Sequence, residues 1–212
     1  MKWMLKTRIL IGLSLYLVNS INIANADCLL NGTTASNTGT AGVDDTLQCD
    51  PTNDPAGADI ATDVGTVRGG NDTVVVEGAV TTGEIYTSWG TDNITIRDGA
   101  TIGSIRTQTK GFNARFDRAS DVVTIDDSIV NGSVVVTGGG GNRLTVTNST
   151  IAGSSTVGGT GVVTNSTVGN IRGVAFTVTD SHVTGSWTGQ GGSSGRERLT
   201  LNNSTLDGDV IS

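Results

Sequence analysis

Basic side chains are scarce in this sequence: 13 Lys and Arg stand against 20 Asp and Glu. No uniform basic patch occurs, which excludes nucleic acid as a partner. Cysteine is limited to Cys28 and Cys49, fewer ligands than a metal site needs. The single histidine is His182, so any Ser–His–Asp set has to be built around it. Aromatic residues are 4% of the chain, which leaves few rings for carbohydrate stacking: Tyr86, Trp89, Trp187, Phe112 and Phe116. The apolar run Ile9–Val18 is too short to cross a membrane as a helix.

That short run belongs to a different kind of signal. Lys2, Lys6 and Arg8 precede it, and Ala24-Asn25-Ala26 follows as a small-x-small step. This order predicts a cleavable signal peptide over residues 1–26 and export of the remainder. Its removal takes three basic residues and no acidic one, leaving 10 basic against 20 acidic side chains. The resulting negative charge serves solubility of a long exposed surface. In an oxidising compartment Cys28 and Cys49 are expected to form a disulfide that staples the N-terminal end.

What the sequence does have is a degenerate repeat. An apolar–Thr–apolar triplet recurs at Ile94-Thr95-Ile96, Val123-Thr124-Ile125, Leu144-Thr145-Val146, Phe176-Thr177-Val178 and Leu199-Thr200-Leu201, with a Thr-less version at Val74-Val75-Val76. The last apolar residues are Val76, Ile96, Ile125, Val146, Val163, Val178 and Leu201, spaced by 20, 29, 21, 17, 15 and 23 residues. A period near 21 residues marks a stacked repeat. In the last five copies an Asx–Ser step follows (Asp127-Ser128, Asn148-Ser149, Asn165-Ser166, Asp180-Ser181, Asn203-Ser204). Then comes another apolar residue: Val130, Ile151, Val168, Val183 or Leu206. Asx and Ser bond nearby backbone and tolerate left-handed conformations, so they mark corners. A second corner contains Gly132, Gly185 or Gly208, where glycine is expected to supply a positive φ.

Each repeat thus reads as strand, corner, strand, corner, with the triplet's apolar residues on one face and its Thr on the other. Such a unit buries its apolar face only by stacking on its neighbours. The predicted fold is all-β: a right-handed parallel β-helix of about seven coils over residues 69–212, preceded by a cap segment, 27–68. Its length by strand spacing is on the order of 30–35 Å. The 29-residue step holds an insertion around Thr107–Ser120. There Phe112, Arg115, Phe116 and Arg118 form a candidate binding loop of residue types enriched at interfaces. An open strand edge at Asp209–Ser212 predicts self-association.

Gly69-Gly70-Asn71-Asp72-Thr73-Val74-Val75-Val76, with Gly90-Thr91-Asp92-Asn93-Ile94-Thr95-Ile96-Arg97-Asp98-Gly99-Ala100 and the upstream Asp45–Asp50, resembles the passenger domains of bacterial autotransporters. The resemblance covers most of residues 45–212. It implies a β-helical passenger exported from a Gram-negative bacterium, secreted or held at the outer membrane. An outer-membrane translocator barrel is part of that pattern. No barrel follows within these 212 residues, so the barrel is expected to be missing or separate.

The sequence offers three chemical alternatives. Gly69–Asp72 is a single defective copy of a calcium nonapeptide, and a turn leading into a strand is the expected reading. Asp180-Ser181-His182 lies at a predicted corner, where adjacent side chains point apart rather than converge. Asp44-Asp45 and Asp126-Asp127 offer paired carboxylates of the kind polysaccharide-acting β-helix enzymes use, with solvated corner carboxylates as the commoner reading. The expectation is a non-enzymatic, adhesin-like or stalk module without catalytic residues, metal or cofactor. Its partners would be a host or neighbouring-cell surface protein or glycan. A polysaccharide-acting enzyme and a truncated remnant without independent function are the alternatives.

Overall fold

The computed structural model describes residues 28–36, 38–51, 64–65, 69–78, 81–107, 119–139, 141–190 and 197–212. Among these residues there is no helix, and the strands form one long, mostly parallel sheet wound as a β-solenoid. The winding follows from three ladders in which each strand pairs with the equivalent strand one repeat away.

The first ladder carries the triplets. Thr46–Cys49 pairs with Thr73–Glu77, then Asn93–Arg97, Val122–Asp126 and Arg143–Thr147. It continues through residues 160–164 and 175–179 to Arg198–Asn202. Leu47, Val74, Ile94, Val123 and Leu144 therefore stack in one inward column, and Cys49, Val76, Ile96, Ile125, Val146, Val163 and Val178 in a second. All are buried. The Thr between them faces outward, half-exposed, as alternation on a strand requires.

The second ladder is short. It stacks Ile102, at the start of the strand Thr101–Arg106, with Val130, Ile151, Val168 and Val183 of two-residue strands, all inward. The third stacks Val64, Ile85, Ile105, Val134, Ser155, Ile171 and Trp187. The three ladders enclose one aliphatic core. The stacking begins at Thr46–Cys49, upstream of residue 69. At the N-terminal side Leu29–Leu30 pairs antiparallel with Leu47–Gln48 and with Thr34–Ala35, closing that end. Cys28 and Cys49 are joined by a disulfide across this cap. At the other side Leu201, Val210 and Ile211 are exposed.

Where the repeat is shortest, a corner has been lost. Ser155–Thr164 and Ile171–Thr179 each run from the third ladder straight into the first, with a register shift between Val157 and Thr160. These are the coils at the 17- and 15-residue steps. Too few residues remain for three turns.

The glycines of the second corner act differently from the expectation. Gly132, Gly185 and Gly208 are absent from the positive-φ positions. Their role is close approach. A Cβ on Gly132 would sit 2.5 Å from the Gly103 carbonyl oxygen, one on Gly153 2.5 Å from that of Gly132, and one on Gly169 2.3 Å from that of Gly153. Stacked backbone fills the space a side chain would need. Likewise Trp187, taken from sequence as a candidate surface ring, is buried in the third ladder. Its position in the ladder register faces the core.

Gly161 and Phe176 are a complementary pair. Gly161 occupies the first inward column directly beneath Phe176, and a Cβ there would lie 2.1 Å from the Phe176 ring. The ring fills the place of the missing side chain. Phe176→Ala is expected to lower stability by about 3–5 kcal/mol through the cavity it leaves. Gly161→Val alone is expected to destabilise by about 1–3 kcal/mol through overpacking. In the double variant Gly161→Val/Phe176→Ala, the loss should be less than the sum of the two singles. Urea unfolding midpoints check all three.

Candidate functional site

Two columns of polar residues run along the solenoid, one exposed and one buried. Both arise because a corner repeated every coil places the same side chain above itself.

The exposed column is the corner between the first and second ladders. Asp98, Asp127, Asn148, Asn165, Asp180 and Asn203 all adopt the left-handed region, with φ between 45° and 61°. Asn and Asp tolerate this conformation because their short side chains bond locally. Behind five of them stands a serine. Its hydroxyl donates to the carbonyl two residues back, at 2.8 Å for Ser128, 2.6 Å for Ser149, 2.7 Å for Ser166, 2.6 Å for Ser181 and 2.8 Å for Ser204. In the last four it also accepts the N–H of the preceding coil's serine. Ser128 N–H donates to Ser149 Oγ at 3.1 Å, Ser149 N–H to Ser166 at 3.0 Å, Ser166 N–H to Ser181 at 3.0 Å and Ser181 N–H to Ser204 at 3.1 Å. Asn165 Nδ2 donates to Asn148 Oδ1 at 2.8 Å and Asn203 Nδ2 to Asp180 Oδ1 at 2.6 Å. Corner backbone that a loop would leave to water is thereby satisfied inside the protein.

These residues line an open polar groove of about 430 Å³, with Asn148, Asn165, Asp180 and Asn203 along it and Thr150, Thr167, His182 and Thr205 on one side. His182 is not on a corner, as its sequence neighbourhood suggests. It is the outward residue of the strand His182–Val183. Its Nε2 lies 2.7 Å from Asp207 Oδ2. Ser181 is engaged in the serine column, so Asp180, Ser181 and His182 do not form a nucleophilic set.

The buried column sits at the start of the first ladder. Asp45 N–H donates to Asp72 Oδ1 at 2.9 Å, Asp72 N–H to Asp92 Oδ1 at 3.0 Å, Asp92 N–H to Asp121 Oδ1 at 3.1 Å and Asp121 N–H to Asn142 Oδ1 at 2.9 Å. All five side chains are buried. Burial pushes the Asp92 carboxyl up to about 7, against the pull of the Asp72 N–H, and the neighbouring carboxyls of Asp121 and Asp72 raise it further. The column stops at Asn142 because the next coil has Gly158 and Gly159 there. A Cβ on Gly159 would lie 2.1 Å from the Asn142 carbonyl oxygen.

The other sequence candidates fall as follows. Phe112, Arg115, Phe116 and Arg118 lie outside the described residues. The chain leaves for that insertion at the buried Thr107 and rejoins at Ala119. Of the paired carboxylates, Asp126 and Asp127 are exposed, and Asp44 is exposed with its Oδ1 accepting the Asn71 N–H at 2.7 Å. Asp45 is buried, so it is not a solvated corner carboxylate. Asp72, of the Gly69–Asp72 turn, belongs to the same buried column. Trp89 is exposed and Tyr86 is half-buried. The buried column was missed by sequence reasoning. Its signal was present: an Asx immediately before each of the first five strands of the first ladder, at 45, 72, 92, 121 and 142.

No protein-family model matches the chain, and no curated protein and no solved structure matches it.

The exposed corner makes a direct prediction. Asn165→Ala puts an ordinary side chain at φ 48° and removes the bond to Asn148. The expected loss is about 1–2 kcal/mol in urea unfolding, with Asn165→Gly costing less because glycine carries no left-handed penalty.

Proposed function

We propose that this protein is a non-enzymatic, adhesin-like passenger: a rigid β-helical stalk that contacts a host or neighbouring-cell surface protein or glycan. The observation that carries the reading is the polar groove along the Asx–Ser corner. It repeats amide, carboxylate and hydroxyl groups in every coil on a backbone whose corner amides are internally bonded. Rigid presentation of hydrogen-bonding groups lowers the ordering cost of binding. Extended solenoid faces suit extended ligands. In this reading the fold is a right-handed parallel β-helix of about seven coils.

The reading includes export. Residues 1–26 act as a cleavable signal peptide, and the product is secreted or displayed at the outer membrane of a Gram-negative bacterium. N-terminal sequencing of the exported protein is expected to begin at Asp27. A product that still begins at Met1 would contradict the export reading.

The exposed His182–Asp207 pair at the groove favours a second reading, a polysaccharide-acting β-helix enzyme. The two readings separate experimentally. Fluorescently labelled protein is expected to bind bacterial or host cells, or members of a glycan array, and to release no reducing or unsaturated ends from a polysaccharide panel. Thr167→Arg, on the exposed wall of the groove, is expected to weaken binding at least fivefold, about 1 kcal/mol. It should leave the unfolding midpoint unchanged. Unaltered binding by that variant would move the contact surface away from the groove.

A further inference from the structure

The exposed Asx column is bonded in pairs, and the break between the pairs defines what a ligand has to supply. Asn165 Nδ2 donates to Asn148 Oδ1, and Asn203 Nδ2 donates to Asp180 Oδ1. A carboxamide carries its nitrogen and its oxygen on opposite sides. With Nδ2 turned to Asn148, Asn165 turns its Oδ1 toward the next coil, where Asp180 stands. With Oδ1 turned to Asn203, Asp180 turns its Oδ2 back toward Asn165. Acceptor faces acceptor there, so the ladder cannot close on itself. Both residues are exposed, in a groove of about 430 Å³.

Nothing in the groove fills the break. Among the described residues its lining carries one carboxylate, Asp180, and no Lys or Arg. Further along the same column Asp98 has a cation from its own strand, with Arg97 Nε 3.5 Å away. Asp180 has no such partner. His182, in the same coil, is held by Asp207 Oδ2 at 2.7 Å, so a proton on its ring is matched by that carboxylate. Thr150, Thr167 and Thr205 add exposed hydroxyls along one wall.

We infer that the break between Asn165 and Asp180 is an ammonium-binding site, and that the groove takes a polysaccharide chain bearing free amino groups. This rests on the groove reading above and narrows its ligand. A primary ammonium has three donors and no acceptor. One nitrogen therefore satisfies Asn165 Oδ1 and Asp180 Oδ2 together, with a charge-assisted bond to the carboxylate. An N-acetylated sugar brings one N–H and no charge, so it fits less well. The sugar hydroxyls both donate and accept, which suits the threonine wall.

Spacing favours a sugar chain over a polypeptide. Successive coils stand about 4.8 Å apart, close to the length of one ring in an extended hexose chain. An extended polypeptide presents same-side groups about every 6.6–6.8 Å, out of step with the coils. The groove lining holds no Phe, Tyr or Trp among the described residues, so recognition here uses polar groups rather than stacking.

The test is calorimetric titration of the purified protein with a glucosamine hexamer and with its N-acetylated counterpart, at mildly acidic pH where the free amines are protonated. Wild type is expected to bind the amino form at least about tenfold more tightly. Asp180→Asn keeps an Asx at φ 50° and supplies the missing donor to Asn165 from within. It is expected to weaken binding of the amino form at least about tenfold, with the unfolding midpoint at or above that of wild type. Asp126→Asn removes the same charge at an exposed position outside the groove and is expected to change the affinity less than about twofold. Equal affinity for the two oligomers, or an equal loss in both variants, would overturn the ammonium site. Hexalysine bound as tightly as the amino sugar would overturn the polysaccharide assignment. If neither oligomer binds but Thr167→Arg still weakens attachment to cells or a glycan array, the ammonium site fails and the groove reading survives. If Thr167→Arg leaves all binding unchanged, both fail.

Discussion

Every coil here depends on the coil next to it. Among the described residues, only the cap strands Leu29–Leu30 and Thr34–Ala35 pair locally; in the coils, the parallel backbone ladder between repeats supplies the pairing. That constraint governs which residues are tolerated at each position. A side chain must fit its own coil and also the equivalent positions one repeat up and down. Leu47, Val74, Ile94, Val123 and Leu144 meet it with aliphatic side chains of similar size. Gly161 and Phe176 meet it by a swap of volume between neighbours. Stability in such an architecture is a sum of coils and coil–coil interfaces.

The corners obey the same rule and carry the surface chemistry. A single Asx in the left-handed region would be an ordinary turn. Six of them in register become an exposed column, and the serines behind them become a hydrogen-bonded file. The groove that supports the adhesin-like reading is a by-product of this stacking. The buried column is the inward counterpart, where the repeat brings aspartates together at a place that excludes water.

Much of this was legible in the sequence, and the reasons are physical. The triplets revealed inward and outward faces because strand periodicity is two. The Asx–Ser steps revealed corners because few residues take a left-handed conformation cheaply. Other features depend on what lies one coil away, which a linear reading does not supply. Gly132, Gly185 and Gly208 read as corners that need a positive φ, but the neighbouring coil's backbone or side chains crowd them. Trp187 read as a surface ring because its local context is Gly and Ser, whereas its register is that of Ile171. Asp45 read as half of an acidic pair with Asp44, whereas its true neighbour is Asp72. The repeat length varies from 15 to 29 residues, so an Asx recurring at 45, 72, 92, 121 and 142 does not stand out as periodic until the strands are aligned.

The central claim is that corners as well as strands are bonded from coil to coil. Amide hydrogen exchange of the folded protein tests it most directly. The N–H groups of Ser128, Ser149, Ser166 and Ser181 are expected to exchange as slowly as the strand amides of Ile125 and Val146, since both open only when coils separate. Corner serines that exchange at the rate of solvent-exposed turns would contradict the account. They would leave the strands stacked but the exposed column unsupported.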